Sequence, residues 1–421
     1  MKKILRSIVC TILEWQVRRL RHKHRFQVIV VAGSISKTST KLATAHTLEV
    51  SRRVIYQTGN YNDRVTVPLV LFGHQLPSLL NVLAWLRIFV SNEAKIRLPY
   101  FYDVAVLEIG TDNPGQIKRF AYLQPDIAVV TAITPEHMEF FKTLDRVGAE
   151  ELKVCDFSDK VLVNADDTPA KYIQDRGVLT YGQSSGVTYQ ASDINPLGLE
   201  GSDVELQLGT EPPFTARAHI LGTQGVKILL AAAATAALAG LDDDEIQKGL
   251  LEVKPFAGRM QVLQGVRNST IIDDTYNASP APVIAALDVL YAAEAPQRIA
   301  ILGNMNELGD FSEEAHRQVG AYCRKDKLDL VVTIGPDAEK YLAHEAAAQG
   351  CLIKSCSSPY EAGEYVKAHL AEGAVVLAEG SQNGVFAEES LKTLLANPGD
   401  AKRLVRQSAY WLEQKQRQFP G

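Results

Sequence analysis

Residues 28 to 41 read VIVVAGSISKTSTK and carry the signals of a strand, a loop and a helix in close succession. Val28 to Ala32 are apolar and mostly β-branched, which favours a buried strand. Gly33 and the small residues after it predict a tight loop, and the run from Leu42 to Val50 is compatible with a helix. Backbone N–H groups in such a loop, together with a helix N-terminus, attract phosphate oxygens. The stretch therefore predicts a phosphate-binding loop.

The polar side chains of this loop suit a nucleoside triphosphate. Lys37 can reach the β- and γ-phosphates, and the Thr38 hydroxyl can bind Mg²⁺. The usual pattern is G-x-x-x-x-G-K-[ST], whereas here Ser36 precedes the lysine and the spacing from Gly33 is shorter. A Ser/Thr-rich turn that caps a helix is therefore the alternative interpretation. On the nucleotide interpretation the contacts come from Gly33, Ser34, Ser36, Lys37, Thr38 and Ser39.

Composition narrows the class of protein. A chain of 421 residues predicts two or three domains, and 46% hydrophobic with 22% charged residues is ordinary for a globular protein. The net charge of −5 argues against a general nucleic-acid-binding surface. The five cysteines are scattered, with no C-x-x-C pair, which disfavours a zinc ribbon or a disulfide framework. We therefore expect a protein of the reducing cytoplasm that does not bind nucleic acid.

The first 27 residues differ from the rest and are predicted to form a short basic amphipathic helix. Up to Arg25 they contain eight lysine and arginine residues against one acid, Glu14. Apolar residues from Ile4 to Trp15 fall roughly on one helical face. The apolar run is too short to span a bilayer, which needs about 20 residues. Two alternatives stay open, a helix on the inner face of the membrane and a helix packed on the first domain.

Alternation of strands and helices after residue 28 predicts an α/β protein. Continuous apolar strands between helices are typical of a parallel sheet covered on both faces. Residues 178–221 alternate instead and predict short antiparallel strands. The segment 254–258 is the best boundary between a first domain (28–255) and a second α/β domain (256–421), which we expect to be doubly wound.

Two strand ends add candidate metal ligands to the loop. Glu108 ends one predicted strand, and His137 follows the next. Carboxyl ends of parallel strands meet at one edge of a sheet, so both can approach Thr38 and hold Mg²⁺ on ATP. Taken singly, Glu108 is equally a strand-end charge and His137 a helix-start residue. The segment from Asp273 to Asn277 ends a later strand, and its alternative interpretation is an Asx-turn that caps a helix.

These motifs give the chain a resemblance to the Mur ligase family, from about residue 28 to the end and in the right order. The matching stretches are GSISKTSTK, TGNYNDRVTVPL, VAVLEIGTDNPGQI, QPDIAVVTAITPEHMEFF, VLVNADD, FAGRMQVL, IIDDTYNASPAPVIAALDVL and IAILGNMNELGDFSEEAHRQVG. The last two resemble the branch that adds D-alanyl-D-alanine to UDP-N-acetylmuramoyl-tripeptide for peptidoglycan synthesis. The resemblance implies an ATP- and Mg²⁺-dependent amide ligase that forms an acyl phosphate. It also implies that residues 28–255 are a central ATPase domain with a phosphate-binding loop and a parallel sheet, and that residues 256–421 are a C-terminal Rossmann-like α/β domain.

The resemblance also implies roles for individual residues. Lys37 would contact the phosphates, Thr38, Glu108 and His137 would organise Mg²⁺, and Arg259 would reach the phosphates. The adenosine or the hinge would lie near Asp274, Tyr276, Asn277 and Pro280. The peptide substrate would be lined by Asn60 and Asn62. We further expect a cytoplasmic monomer.

Several positions depart from the family pattern. Ser36 stands where the family usually has glycine, and Glu151 stands where it often has a carbamylated lysine that holds a second metal. Glu151 is therefore either a metal ligand or a solvated helix residue. A usual His-Asn-x-x-Asn aligns with 224–228, and Glu379 replaces a usual lysine. The family's uridine-binding N-terminal domain has no counterpart in residues 1–27. Two alternatives stay open: a related ligase acting on a different acceptor, for example a lipid-linked one, and a degenerate nucleotide-binding paralogue without catalysis.

Overall fold

A computed structural model describes residues 2–59, 61–382 and 384–419. The chain divides into two compact units. The first comprises residues 1–194, 203–217 and 227–253, and the second comprises 195–202, 218–226 and 254–421. No helix among the described residues is long and apolar enough to cross a membrane.

The first unit is built on nine strands with helices between them. The strands are β1 (Gln27–Ala32), β2 (Val54–Ile55), β3 (Val104–Glu108), β4 (Ile127–Val130), β5 (Lys160–Asn164), β6 (Leu179–Gly182), β7 (Tyr189–Pro196), β8 (Ser202–Leu208) and β9 (Phe214–Ala218). The helices are α1 (Lys2–Lys23), α2 (Lys37–Glu49), α3 (Thr66–Leu71), α4 (Val82–Arg97), α5 (Met138–Phe141), α6 (Leu144–Glu151), α7 (Gly222–Leu238) and α8 (Asp243–Leu251).

The strands form one sheet in the order β2-β3-β1-β4-β5-β6-β7-β8-β9. β1 is parallel to both β3 and β4, with Val31 opposite Glu108 and Ala32 opposite Val130. Because these strands run the same way, the loops after β1, β3 and β4 emerge at one edge. The prediction of antiparallel strands over 178–221 is wrong for β6 and β7, since β5, β6 and β7 pair in parallel. Their alternating pattern reflects a half-exposed sheet, which period-2 alternation reports whatever the strand direction.

Helix α1 packs on this unit through one face, as the packed-helix alternative requires. Val9 and Leu13 lie in an apolar cluster with Trp85 and Ile88 of α4. The Arg21 guanidinium binds the Asp126 carboxylate at 3.1 Å, at the start of β4. The predicted single apolar face is split, however, because Ile4, Ile8 and Trp15 are exposed.

The second unit contains a six-stranded sheet in the order β10-β11-β15-β12-β13-β14. Its strands are β10 (Gln261–Gln264), β11 (Thr270–Asp274), β12 (Arg298–Gly303), β13 (Leu330–Ile334), β14 (Ile353–Cys356) and β15 (Val375–Glu379). Its helices are α9 (Pro280–Ala292), α10 (Ser312–Tyr322), α11 (Ala343–Ala348), α12 (Pro359–His369), α13 (Glu388–Leu391) and α14 (Ala409–Gln418). All pairs are parallel except β10 with β11. The predicted α/β class with parallel sheets is confirmed.

A buried ionic cluster fixes the end of the chain in the second unit. The Lys415 ammonium of α14 lies 2.8 Å from Glu388 and 2.7 Å from Glu389, and all three side chains are buried. The Arg406 guanidinium binds Glu388 at 2.6 Å and also donates to the carbonyl oxygens of Thr275 and Tyr276. The loop after β11 is thereby tied to α13 and α14.

Candidate active site

The loop between β1 and α2 has the geometry of an anion-binding turn. Gly33 has φ 117°, and a Cβ there would come within 2.9 Å of Thr131 and Ala132 backbone nitrogens, so a side chain is excluded. Ser36 has φ 61° and ψ 7°, the left-handed conformation that favours glycine. Ser36 makes no side-chain capping hydrogen bond within the described structure. The alternative of a serine-capped turn therefore lacks its defining contact.

Lys37 lies at the first position of α2 and folds back over this loop. Its Nζ donates to the carbonyl oxygens of Gly33 at 2.5 Å and Ser34 at 3.2 Å, and lies 3.2 Å from the Glu136 carboxylate. Burial alone would lower the pKa of Lys37, but the carboxylates of Glu136, Glu151 and Glu108 outweigh it and raise the pKa. The loop therefore holds a positive charge near neutral pH.

Glu108, at the end of β3, is buried beside the first turn of α2. Its Oε2 accepts from the Thr38 hydroxyl at 2.9 Å and from Lys41 Nζ at 3.2 Å. Lys41 is itself fully buried and also donates to the Gly59 carbonyl at 2.9 Å. The Asn62 amide approaches Glu108 Oε1 at 3.5 Å. The carboxylate and hydroxyl oxygens predicted to hold a metal are thus neighbours.

Glu151, at the end of α6, points at the same loop. Its Oε2 accepts from the Gly33 N–H at 2.7 Å, and the residue is 1% exposed. The alternative of a solvated helix residue is therefore wrong. Burial raises the pKa of Glu151 to about 7, and the nearby Glu136 carboxylate adds to this, while Lys37 and the Gly33 N–H oppose it. The structure thus places a carboxyl group against a backbone N–H of the predicted phosphate loop.

His137 follows β4 and precedes the short helix α5. It adopts a left-handed backbone conformation with φ 47°. Its Nε2 lies 3.6 Å from carboxylate oxygens of both Asp112 and Glu136. His137 therefore shares the acidic side of the loop.

The donor set suits Mg²⁺ on a phosphorylated ligand better than a metal held by protein alone. No group of three or more His, Cys, Asp or Glu side chains could hold a metal within residues 2–59, 61–382 and 384–419. Mg²⁺ is usually bound through one or two carboxylates, with waters and substrate phosphates completing the shell. The Thr38 hydroxyl and the Glu108 carboxylate fit that pattern.

Of the two residues predicted to line the peptide substrate, Asn60 and Asn62, the structure describes Asn62. Asn60 lies outside the described residues. Asn62 is half-buried, and its amide approaches Glu108 as described above. The backbone carbonyl oxygen of Asn62 also accepts a hydrogen bond from the Gly110 N–H at 3.2 Å. The segment around Asn62 is therefore adjacent to the end of β3.

The predicted site residues of the second unit surround the end of β11. The Arg259 guanidinium stacks on the Tyr276 ring at 4.0 Å, and the Tyr276 N–H donates to the Gly258 carbonyl at 3.0 Å. The Asp274 carboxylate accepts the Met260 N–H at 3.0 Å. Asn277 lies in the following loop, and Pro280 begins α9. Arg259, Asp274 and Tyr276 thus lie together at the end of β11, and Asn277 and Pro280 follow them in the chain.

Buried carboxyl groups adjoin this cluster. Glu379, at the end of β15, lies opposite Asp274 in the parallel register. Burial raises the pKa of both groups, and the Asp274 charge raises that of Glu379 further, while Arg259 opposes the shift in both. Burial likewise raises the pKa of Asp273 to about 6. The glutamate at position 379 therefore forms a buried carboxyl pair with Asp274 in which both pKa values are raised.

Sequence reasoning missed Lys41 and Glu136. Lys41 directly precedes the predicted helix, where a lysine is ordinarily a solvated charge, and only its burial against Glu108 reveals its role. Glu136 lies in the loop after β4, next to the predicted ligand His137. The Lys37–Glu136 contact joins residues far apart in sequence, so no local pattern indicates it.

Comparisons with known proteins match both halves of the chain. Residues 93–236 match the family model described as Mur ligase middle domain. Residues 258–382 match the one described as Mur ligase, glutamate ligase domain. Together these matches cover more than half of the chain.

Curated relatives include UDP-N-acetylmuramoyl-tripeptide–D-alanyl-D-alanine ligases of several bacteria. The Bacillus subtilis protein is 28% identical over 381 residues, covering 88% of this chain and 76% of the relative. The Haemophilus influenzae protein is 30% identical over 331 residues, covering 76% of this chain and 66% of the relative. The Escherichia coli protein is 28% identical and is covered over 64% of its length.

Solved structures agree on the fold. MurF from Thermotoga maritima in complex with ADP aligns with TM-score 0.73 at 22% identity, covering 91% of this chain and 83% of that one. MurF from Acinetobacter baumannii aligns with TM-score 0.73 at 22% identity, covering 90% and 79%. The resemblance drawn from the motifs is confirmed.

Proposed function

Since the chain belongs to the Mur ligase family, we propose that it is an ATP-dependent amide ligase joining D-alanyl-D-alanine to UDP-N-acetylmuramoyl-tripeptide. The curated relatives are named for this reaction, and one structural neighbour was solved with ADP. The reaction would contribute to peptidoglycan precursor synthesis in the cytoplasm.

The chemistry has two balanced steps. A carboxylate oxygen of the tripeptide attacks the γ-phosphorus of ATP, the bond to the bridging oxygen breaks, and ADP leaves with its electron pair. The amine of D-alanyl-D-alanine then attacks the acyl carbon, an amide bond forms, and inorganic phosphate departs as the amine loses a proton. Both steps demand charge neutralisation and alignment of reactants more than covalent participation by the protein.

The residues at the carboxyl edge of the first sheet suit this task. Lys37 is held charged above the loop and would neutralise charge on the transferred phosphoryl group. The backbone of residues 33–39, at the N-terminus of α2, would bind the phosphates. Thr38, Glu108, His137 and Glu151 would organise Mg²⁺, which when bound neutralises phosphate charge. Arg259, Asp274, Tyr276, Asn277 and Pro280 would serve the nucleotide, and Asn60 and Asn62 the peptide.

One observation carries the proposal: the Thr38 hydroxyl and the Glu108 carboxylate, from α2 and β3, meet at 2.9 Å beside the Lys37 loop. A hydroxyl and a carboxylate brought together at the end of parallel strands are what a nucleotide-bound Mg²⁺ needs.

The test is phosphate release from ATP in the presence of the tripeptide nucleotide and D-alanyl-D-alanine. We expect turnover that requires both acceptors, and Lys37→Ala should lower it by about 10³-fold. The matched control is Lys248→Ala, which removes an exposed lysine from α8 and should leave the rate unchanged. Acyl-phosphate formation at the wild-type rate in Lys37→Ala would overturn the assignment.

A second candidate is a nucleotide-binding protein without ligase activity. It is favoured by the Glu151 carboxyl on the Gly33 N–H and by the Glu136 carboxylate on Lys37, because both occupy groups that phosphate would use. ATP binding without amine-dependent phosphate release, across a panel of amines and carboxylate acceptors including lipid-linked ones, would select this candidate. Turnover with another acceptor would instead redefine the substrate.

A further inference from the structure

Helices α1 and α4 expose apolar side chains on faces opposite to those they bury. On α4 the exposed residues Leu83, Leu86 and Val90 follow the i, i+3, i+7 spacing of a single helical face, with Leu83 68% and Val90 70% exposed. On α1 the exposed residues Ile4, Ile8 and Trp15 also share one face. We call these six side chains the apolar platform.

The two stripes of the apolar platform are adjacent, because α1 and α4 pack side by side. The Gln16 amide donates to the Phe89 carbonyl at 3.0 Å, and the Arg19 guanidinium binds Glu93 at 2.6 Å. Arg19 also lies 4.4 Å from the centre of the Trp15 ring. Arg19 therefore joins Trp15 on α1 to Glu93 on α4, and Glu93 lies one turn beyond Val90 in that helix.

Core packing does not account for the apolar platform. The buried faces of the same helices already contribute their own residues, such as Leu13 and Trp85, to the unit. A contiguous exposed apolar surface of this kind indicates an interaction site.

Charge indicates the partner. Glu14 and Glu93 are the only acids in α1 and α4, and each is paired, with Arg64 and Arg19 respectively. The exposed cations Lys2, Lys3, Arg18 and Arg87 have no acidic partner among the described residues. The chain as a whole carries −5, so this surface is locally opposite in sign to the protein.

A basic pocket continues the same face of α1. It encloses about 900 Å³ and is lined by Arg18, His22, Arg25 and Arg52. Arg18 and His22 follow Trp15 at helical spacing, on the face that carries Ile4 and Ile8. The pocket lies where β1, β3 and β4 begin, and its two acids, Asp103 and Asp126, are paired with Arg53 and Arg21. It is therefore at the sheet edge opposite the Lys37 loop.

We propose that the apolar platform docks on the surface of an anionic phospholipid bilayer, with a headgroup phosphate in the basic pocket. Apolar side chains with flanking arginine and lysine are the composition that binds such an interface. This proposal does not depend on the ligase assignment.

The experiment is sedimentation of the full-length protein with phosphatidylcholine vesicles that contain or lack 30% phosphatidylglycerol. We expect at least tenfold stronger partition onto the anionic vesicles, reduced by 0.5 M salt. Leu83→Ser/Leu86→Ser/Val90→Ser and, separately, Arg18→Gln/Arg25→Gln should each lose most of this binding. The matched control is Leu352→Ser, an exposed leucine of the second unit.

Trp15 provides a readout specific to the apolar platform. Its emission should shift to the blue on anionic vesicles and be quenched by brominated lipid, and Trp15→Phe should remove both signals. Equal binding by wild type and the triple variant would overturn the proposal. A concentration-dependent dimer that the triple variant abolishes, without vesicle binding, would assign the surface to a second copy. Binding of inorganic phosphate without vesicle binding would assign the pocket to a free anion, and would equally overturn the proposal.

Discussion

The two sheets each bury an acidic side chain at the carboxyl end of a parallel strand, in opposite surroundings. Glu108 has a buried ammonium, Lys41, at 3.2 Å and a hydroxyl at 2.9 Å. Glu379 instead faces Asp274 across the strand pair, and burial with this second acid raises its pKa well above the ordinary value. The two sites therefore differ in their partners: Glu108 has a cation beside it, whereas Glu379 has a second carboxyl group that adds to burial in raising its pKa.

The sharpest test of this comparison removes the cation. Lys41→Met should lower the free energy of unfolding by about 3–5 kcal/mol, because Glu108 is left as an uncompensated buried charge. Glu379→Gln should change it by less than about 1 kcal/mol, since an amide resembles the protonated carboxyl. Denaturant unfolding at pH 7 measures both, with Lys248→Met as the control. A loss below 1 kcal/mol in Lys41→Met would break the contrast.

The second test measures how the stability of the protein depends on pH through Asp273, which lies on β11 beside the Asp274–Glu379 carboxyl pair. The pKa of Asp273 is raised from 3.8 to about 6, so the folded state holds a proton that the unfolded chain has lost. The stability from this group is complete below pH 3.8 and declines as pH rises through 6, by about 3 kcal/mol in all. Asp273→Asn should remove this part of the decline. Parallel stability profiles of wild type and variant between pH 4.5 and 7.5 would refute it.

The third test asks whether Glu151, like Glu108, helps to bind Mg²⁺. If it helps to hold Mg²⁺, Glu151→Gln should raise the Mg²⁺ requirement and lower kcat by about tenfold. Glutamine keeps an oxygen for the Gly33 N–H, so the fold should be retained. Wild-type activity should not respond to bicarbonate, because a glutamate needs no carbamylation, and Glu151→Lys should gain such a response. An unchanged Mg²⁺ titration in Glu151→Gln would remove it from the ligand set.

The smallest expected effect concerns the backbone conformation of Ser36 in the loop between β1 and α2. Ser36 occupies a left-handed conformation, so Ser36→Gly should stabilise the protein by about 1 kcal/mol and leave ATP affinity equal or improved. Ser39→Gly, the same change inside α2, should destabilise it by about 1 kcal/mol. Thermal unfolding should show a higher Tm than wild type for Ser36→Gly and a lower Tm for Ser39→Gly. Destabilisation by both would mean that the Ser36 side chain matters more than its backbone.

The sequence allowed the α/β class and the strand–loop–helix at Gly33 to be predicted, because both depend on local signals. Runs of apolar residues predict buried strands, and Gly33 shortly before Lys37-Thr38 predicts the turn between β1 and α2. The direction of β6 and β7 could not be predicted, because alternation reports exposure and says nothing about which neighbour a strand pairs with.

Residues of the candidate site were predicted where a local sequence motif indicates them. They were missed where their role depends on a contact with a residue distant in sequence. Glu108 was indicated by its place at a strand end. Its partner Lys41 was not, since a lysine in a helix is ordinarily solvated. The departure at Glu151 was seen in the sequence, but its contact with Gly33 joins segments more than a hundred residues apart.

The position of β15 has a consequence for synthesis of the protein. β15 follows the other five strands of this sheet in the chain, yet it lies between β11 and β12 in the finished sheet. While the ribosome is still short of Val375, the hairpin of β10 and β11 and the trio of β12, β13 and β14 each present an open strand edge. Such edges recruit foreign strands. The nascent second unit is thus exposed to misassembly until β15 has been translated.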